Sequence, residues 1–179
     1  MAARVTLVRH TEVARYWRGR CYGVSDPGLS RAGAAAIGPL AAQLANLRPQ
    51  WVLHSDLSRS RRLAAAIEKA ARCPVLADPA WRERDFGDWE GQTWHAIYRA
   101  SGNAMDGMID APDTFRPGGG ETTFELAARA AAAAAALPEG RGVVVAHGGP
   151  IAALLGQQRE LVPREWLALV PHLGGAVSL

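Results

Sequence analysis

Short apolar runs alternate with amphipathic stretches along almost the whole chain. Val5-Thr6-Leu7-Val8 is a β-branched, apolar run of the kind that forms a buried strand, and it stops abruptly at Arg9-His10. Residues 13–28 read as a loop, with Gly19, Gly23, Pro27 and Gly28 set among Arg15, Arg18 and Arg20. Ser30 is a good N-cap for an Ala-rich helix over 31–47, which Arg48-Pro49 ends. Gly38-Pro39 inside that helix predicts a kink or a later start. Trp51-Val52-Leu53 reads as a second strand leading to His54-Ser55-Asp56. The stretch 58–72 follows as a helix whose Leu63, Ala66, Ile67 and Ala70 keep a period of about 3.6.

Residues 74–77 suit a short third strand, and 93–101 a helix. Between them, Trp81 to Gly91 is too dense in charge and aromatics for a core element, and 102–121 is a Gly/Pro-rich connection. Thr122 and Thr123 can cap a helix reaching Leu137; its alanine tract, 130–136, reads as ordinary helix. Gly142 to Ala146 is a continuous apolar strand ending in His147-Gly148-Gly149-Pro150. A helix over 151–157 follows, with Pro150 in its first turn, and 166–170 and 174–179 read as two final strands. Such alternation predicts an α/β fold: a three-layer sandwich with a mostly parallel central sheet and helices on both faces. No repeat or linker divides the chain, which reads as one domain over 1–179 with a short insert at about 88–121.

Composition narrows the function classes. Apolar residues make up 49% and charged residues 21%, as in ordinary globular proteins with a sizeable core. The net charge is +3 and the pI 9.3, yet Lys69 is the only lysine and the arginines are scattered. There is no basic run interleaved with aromatics, so a small anionic substrate fits better than nucleic acid. Cys21 and Cys73 form neither a CxxC nor a zinc-type cluster, so no metal is expected and no disulfide is required. Met-Ala-Ala-Arg runs straight into the first strand without a signal peptide, and no segment is apolar enough to span a bilayer. The expectation is a cytoplasmic protein that binds no membrane; a homo-oligomer is compatible with the sequence.

Two apolar strands end in histidine. In a parallel sheet they would place His10 and His147 at the same edge, where ligands of α/β folds bind. A neutral imidazole is a good nucleophile near pH 7, and a neighbouring guanidinium offers phosphate a planar fork of donors. From the first strand alone, a helix-entry loop with Arg9 paired to a carboxylate explains the residues equally well. The helix after the second strand adds Arg59, Arg61 and Arg62, and its N-terminus favours an anion. Together these make a phosphate pocket the economical reading.

Five segments in order then carry a resemblance. Arg9-His10-Thr11-Glu12 resembles the Arg-His-Gly-Glu signature of the histidine phosphatase (phosphoglycerate mutase-like) superfamily. The loop to Gly23 with Leu29-Ser30-x-x-Gly33, and Ser55-Asp56-Leu57-Ser58-Arg59-Ser60, are similar to the family's following stretches. So are Glu83-x-x-Phe86-Gly87-Asp88-Trp89-Glu90-Gly91 and Ala146-His147-Gly148-Gly149. The resemblance implies that His10 is a transiently phosphorylated nucleophile and that Arg9, Arg59 and His147 bind the phosphoryl oxygens. It implies that Glu83 protonates the leaving oxygen and then activates water, with backbone N–H groups near Gly23 and Gly148 assisting. Positioning and charge compensation are what phosphoryl transfer chiefly needs, so no metal or other cofactor is implied.

Blander roles compete for some of these residues. His147 could be a satisfied strand-end histidine, and Glu83 could pair with Arg82 or Arg84. Arg61 and Arg62 read as solvated, His54, His95 and His172 as structural or surface residues, and Asp88 and Glu90 match structural positions of the family. Thr11 replaces the usual glycine, Tyr16 stands where Asn is common, and Leu63 where Thr is common. The resemblance implies a small phosphorylated metabolite as substrate. The short insert favours hydrolysis over mutase chemistry. The Phe86–Glu90 segment and Gly118-Gly119-Gly120-Glu121 are most similar to α-ribazole phosphatases of cobalamin biosynthesis, whose substrate is α-ribazole 5′-phosphate. Alternatives are a phosphoglycerate mutase-like or broad-specificity sugar-phosphate phosphatase, a protein phosphohistidine phosphatase, and an inactive phosphate-binding module.

Overall fold

The computed structural model describes residues 4–179; residues 1–3, read above as leading into the first strand, lie outside them. The strands are β1 (Arg4–Arg9), β2 (Trp51–His54), β3 (Val75–Ala77), β4 (Arg141–Ala146) and β5 (Ala176–Ser178). They form one sheet in the order β3-β2-β4-β1-β5, with only β5 antiparallel to its neighbour. The helices are α1 (Arg31–Ala45), α2 (Ser58–Ala71), α3 (Trp94–Ser101), α4 (Gly107–Asp110), α5 (Thr123–Ala135), α6 (Gly148–Gln158) and α7 (Pro163–Trp166).

The strand residues alternate between two cores, which produces three layers. Val8, Val52, Val143 and Val145 pack on one face with Ala41 and Leu44 of α1 and Leu63, Ala64 and Ile67 of α2. Val5, Leu7, Leu53 and Val144 pack on the other with α5 and α6, through Ala130, Ile151 and Leu154. Because β1 and β4 are buried on both faces, their sequences read as continuous apolar runs.

Several expectations shift in detail. α1 begins at Arg31, capped by the Ser30 hydroxyl, and runs through Pro39 to Ala45. The later start is therefore wrong: a good cap outweighs one missing backbone bond. α5 stops at Ala135, and Thr122 and Glu125 form its reciprocal cap. The stretch 102–121 contains short helical turns at Gly102–Asp106, α4 and Pro117–Gly119.

Residues 166–170 do not form a strand. Pro163 opens α7, the Glu165 carboxylate accepts the Val162 N–H at 3.2 Å, and Leu167–Leu169 continue as a 3-10 turn. The Trp166 ring packs against Gly156 of α6, where a Cβ would come within 2.2 Å of it. This docking and the Pro163 start override the apolar run. Cys21 and Cys73 are buried free thiols, and among the described residues no helix is long and apolar enough to cross a membrane.

Candidate active site

The parallel pairing of β1 with β4 sets Arg9 opposite Ala146, so His10 and His147 leave the sheet side by side. Their ring centroids are 5.1 Å apart, and both side chains are buried. Burial, reinforced by the charges of Arg59 and Arg9, lowers His10 from its ordinary 6.5 to about 3. Burial and the same two arginines push His147 well below its ordinary value as well. Both imidazoles are therefore neutral at pH 7. His10 Nδ1 lies 2.7 Å from the Thr11 carbonyl, which can only accept, so Nδ1 carries the proton and Nε2 keeps its lone pair.

The two arginines come from different elements. Arg9 ends β1; its Nη1 donates to the Pro171 carbonyl at 2.9 Å, and its buried Nε has no partner. Arg59 sits in the first turn of α2, fully buried. Its Nη1 and Nη2 donate to the Ser25 and Gly23 carbonyls at 2.6 Å each, and its Nε is also unpaired. Arg61 and Arg62, one turn position away, are exposed, as expected of solvated residues.

Glu90 explains why the 23–25 loop can hold Arg59. Its carboxylate accepts the N–H groups of Gly23, Val24, Ser25 and Phe86 at 3.0–3.2 Å, and the Ser25 hydroxyl. This alters one expectation: the Gly23 N–H is committed to Glu90, while its carbonyl holds Arg59. Gly23 thus faces the site through an acceptor. A Cβ there would lie 1.7 Å from the Arg84 carbonyl, which accounts for the glycine.

Glu83 enters from the segment after β3. It accepts the Gly149 N–H with both oxygens at 3.1 Å and the Arg84 N–H at 2.9 Å. It does not pair with Arg82, whose partner is Asp56. The backbone of the segment is clamped by Arg129 of α5, which donates to the carbonyls of Ala80 and Arg82 and pairs with Glu121. Gly148 begins α6, where the Arg9 guanidinium lies alongside; a Cβ on Gly148 would touch Arg9 Cζ at 3.4 Å and press on Val170 Cγ1 at 2.9 Å.

A cavity of about 570 Å³ opens over this edge, lined by Arg9, His10, Glu83, Gly148 and Gly149 at its base. Its walls carry Trp17, Tyr22, Phe86, Trp94 and Trp166 together with Arg18, Arg20 and Arg84. The short helical turns of the insert contribute Met108 and Ile109. Thr11, the departure beside His10, lines a separate groove towards α1 and Gly174, so its branch does not crowd this cavity. Tyr16, which stands where Asn is common, is exposed under the Arg20 guanidinium. His54 is buried, with Nδ1 on the Ser55 carbonyl, while His95 and His172 are not buried.

Reading the sequence missed Ser55 and Ser60, whose hydroxyls lie 2.6 and 3.3 Å from His147 Nε2. Their positions around Arg59, at a strand end and in the first turn of a helix, were the available signal. Among the described residues no three His, Cys, Asp or Glu side chains converge as a metal cluster.

The chain is similar to known proteins along nearly its whole length. The family model for the histidine phosphatase superfamily (branch 1) matches residues 5–177. A glucosyl-3-phosphoglycerate phosphatase of Mycobacterium tuberculosis is 33% identical over 97% of this chain and 81% of its own length. A probable phosphoglycerate mutase of Erwinia tasmaniensis is 31% identical over 85% of this chain and 73% of its own. The solved α-ribazole phosphatase of Shigella flexneri superposes with a TM-score of 0.85 over 98% of this chain and 89% of that one; at 21% identity this is a likeness of fold.

Proposed function

Because the chain belongs to the histidine phosphatase superfamily (branch 1), we propose that it is a single phosphatase domain that hydrolyses small phosphomonoesters through phosphohistidine at His10. The observation that carries this reading is the pair of buried, neutral histidines between two arginines at one sheet edge. His10 Nε2 attacks phosphorus as the bond to the leaving oxygen breaks, and Glu83 supplies the proton that oxygen needs. Water then attacks the phosphohistidine, Glu83 takes its proton, and the P–N bond breaks to release phosphate. Arg9, Arg59 and His147 offset the charge on the equatorial oxygens, without a metal. The Gly148 N–H at the start of α6 adds a donor at the end of the helix that favours anions. An inactive binding module would need neither a nucleophile nor an acid.

The cavity walls bear on the leaving group. Aromatic rings beside Arg18, Arg20 and Arg84 suit a molecule with a flat apolar face and its own negative charge. The two curated relatives are both named for phosphoglycerates, so a phosphoglycerate derivative is the first candidate. α-Ribazole 5′-phosphate is the second, favoured by the Phe86–Glu90 segment and by aromatic walls that suit a base. Free thiols at Cys21 and Cys73 suit the cytoplasm.

The test is inorganic phosphate release from glucosyl-3-phosphoglycerate, 3-phosphoglycerate, α-ribazole 5′-phosphate, a sugar phosphate and an aryl phosphate. Turnover with an acid-labile phosphoenzyme that is lost in His10→Ala is expected. Phosphate release undiminished in folded His10→Ala would overturn the mechanism, and no release from any compound would return the chain to a binding role.

A further inference from the structure

The two histidines must do opposite things to one phosphoryl group: one offers a lone pair to phosphorus, the other offers a hydrogen to oxygen. For His10 the Thr11 carbonyl settles which nitrogen is bare. For His147 the neighbour is a hydroxyl, which can donate or accept, so the assignment needs an argument.

Ser55 Oγ lies 2.6 Å from His147 Nε2, and both residues have no exposed surface. Among the described residues, His147 Nε2 is the one hydrogen-bond partner of the Ser55 hydroxyl. If Nε2 carried the proton, the Ser55 hydrogen would be buried with nowhere to go, which folded proteins avoid. Ser60 Oγ, at 3.3 Å from the same nitrogen, is the more distant of the two hydroxyls and makes the weaker contact. His147 Nδ1 is buried and has no partner among the described residues. With Nε2 occupied, Nδ1 is the one ring nitrogen free to meet a phosphoryl oxygen.

We infer that Ser55 is a positioning residue whose hydroxyl donates to His147 Nε2 and so fixes a hydrogen on Nδ1 for the phosphoryl group. Both histidines are then Nδ1–H tautomers. They differ in the end they turn to the phosphorus, because a carbonyl holds Nδ1 of one and a hydroxyl holds Nε2 of the other. His147 binds oxygen as a neutral donor, in keeping with the burial that disfavours its cationic form. That a phosphoryl group occupies the site rests on the function proposed above; the tautomer itself does not.

The experiment is 15N NMR of the histidine side chains in the full-length protein at pH 7, with His147 assigned by its absence in His147→Asn. A bare Nε2 and a protonated Nδ1 are expected for His147. In Ser55→Ala that signature should become mixed or invert, and the affinity for inorganic phosphate should fall about tenfold, the worth of one hydrogen bond. The His10 signature should not change. Ser55→Cys keeps nearly the volume and a weaker donor, and should fall between the two, which serves if the alanine variant does not fold. A protonated Nε2 in the unaltered protein would overturn the inference. So would an unchanged His147 signature and phosphate affinity in both variants. Neither readout needs turnover, so inactivity on every phosphomonoester would refute the proposed function and leave this test standing.

Discussion

The Glu83 carboxylate is seated on the Gly149 N–H, with both oxygens 3.1 Å from that nitrogen. This single donor, two residues past His147, ties the acid to the helix that follows the second histidine. A Cβ on Gly149 would lie 2.1 Å from Glu83 Oε1.

That contact separates activity from stability. The most obstructed atom is the tip of a flexible side chain, with buried Leu126 Cδ2 next at 3.3 Å, and Gly149 has ordinary helical backbone, so Gly149→Ala should lower the unfolding midpoint only slightly. It should displace the carboxylate and cut kcat/KM for alkyl phosphates by about 10²-fold or more, the usual worth of positioned acid–base catalysis. Unchanged activity in a folded variant would remove the seat from the mechanism.

Glu83→Gln tests the acid directly. Alkyl phosphates have poor leaving groups and need the proton, so their turnover should fall by about 10²–10⁴-fold. An activated aryl phosphate should lose far less. Equal losses on both would argue against a proton donor.

Glu90 is an acceptor for the loop that holds Arg59. Glu90→Ala strands the N–H groups of Gly23, Val24, Ser25 and Phe86 and frees the carbonyls that position the guanidinium. Urea unfolding should show a loss of about 2–4 kcal/mol, and phosphate affinity should fall in parallel. Loss of affinity at unchanged stability would mean that Glu90 acts in some other way.

Acid should weaken the fold through the two histidines. His10 has an ordinary value of 6.5 and about 3 in the folded protein, so below pH 6.5 the unfolded chain binds a proton that the native state refuses. Stability is full above 6.5, falls as pH drops, and stops falling from this cause near 3. The slope is about 1.4 kcal/mol per pH unit for each such histidine, and His147 adds in the same direction. Urea midpoints between pH 6.5 and about 4.5, above the ordinary carboxylate range, should show it. His10→Ala should flatten the slope; an unchanged slope would mean that His10 is already cationic in the native protein. Because His10 stays neutral, kcat/KM should have no acid limb at 6.5.

Arginines and histidines carry the charge compensation in the proposed mechanism. A chelator should therefore leave turnover unchanged; a loss restored by an added divalent cation would refute the mechanism.

The sequence by itself determined the layers and the candidate site. The apolar runs Val5–Val8 and Gly142–Ala146 pointed to buried parallel strands that bring His10 and His147 to one edge; the helix after the second strand offered Arg59 together with Arg61 and Arg62, and the family resemblance singled out Arg59. These features are set by neighbours along the chain. The stretch 166–170 was illegible because its apolar pattern suits a strand, whereas Gly156, ten residues earlier on another helix, leaves room for the Trp166 ring where a side chain would collide with it. Tertiary structure alone decided that Gly23 faces Arg59 through its carbonyl, that Glu90 takes its N–H, and that Ser55 holds His147. A hydrogen bond's direction depends on which donors and acceptors meet in space after burial has removed water as an alternative. That competition leaves no pattern in the chain.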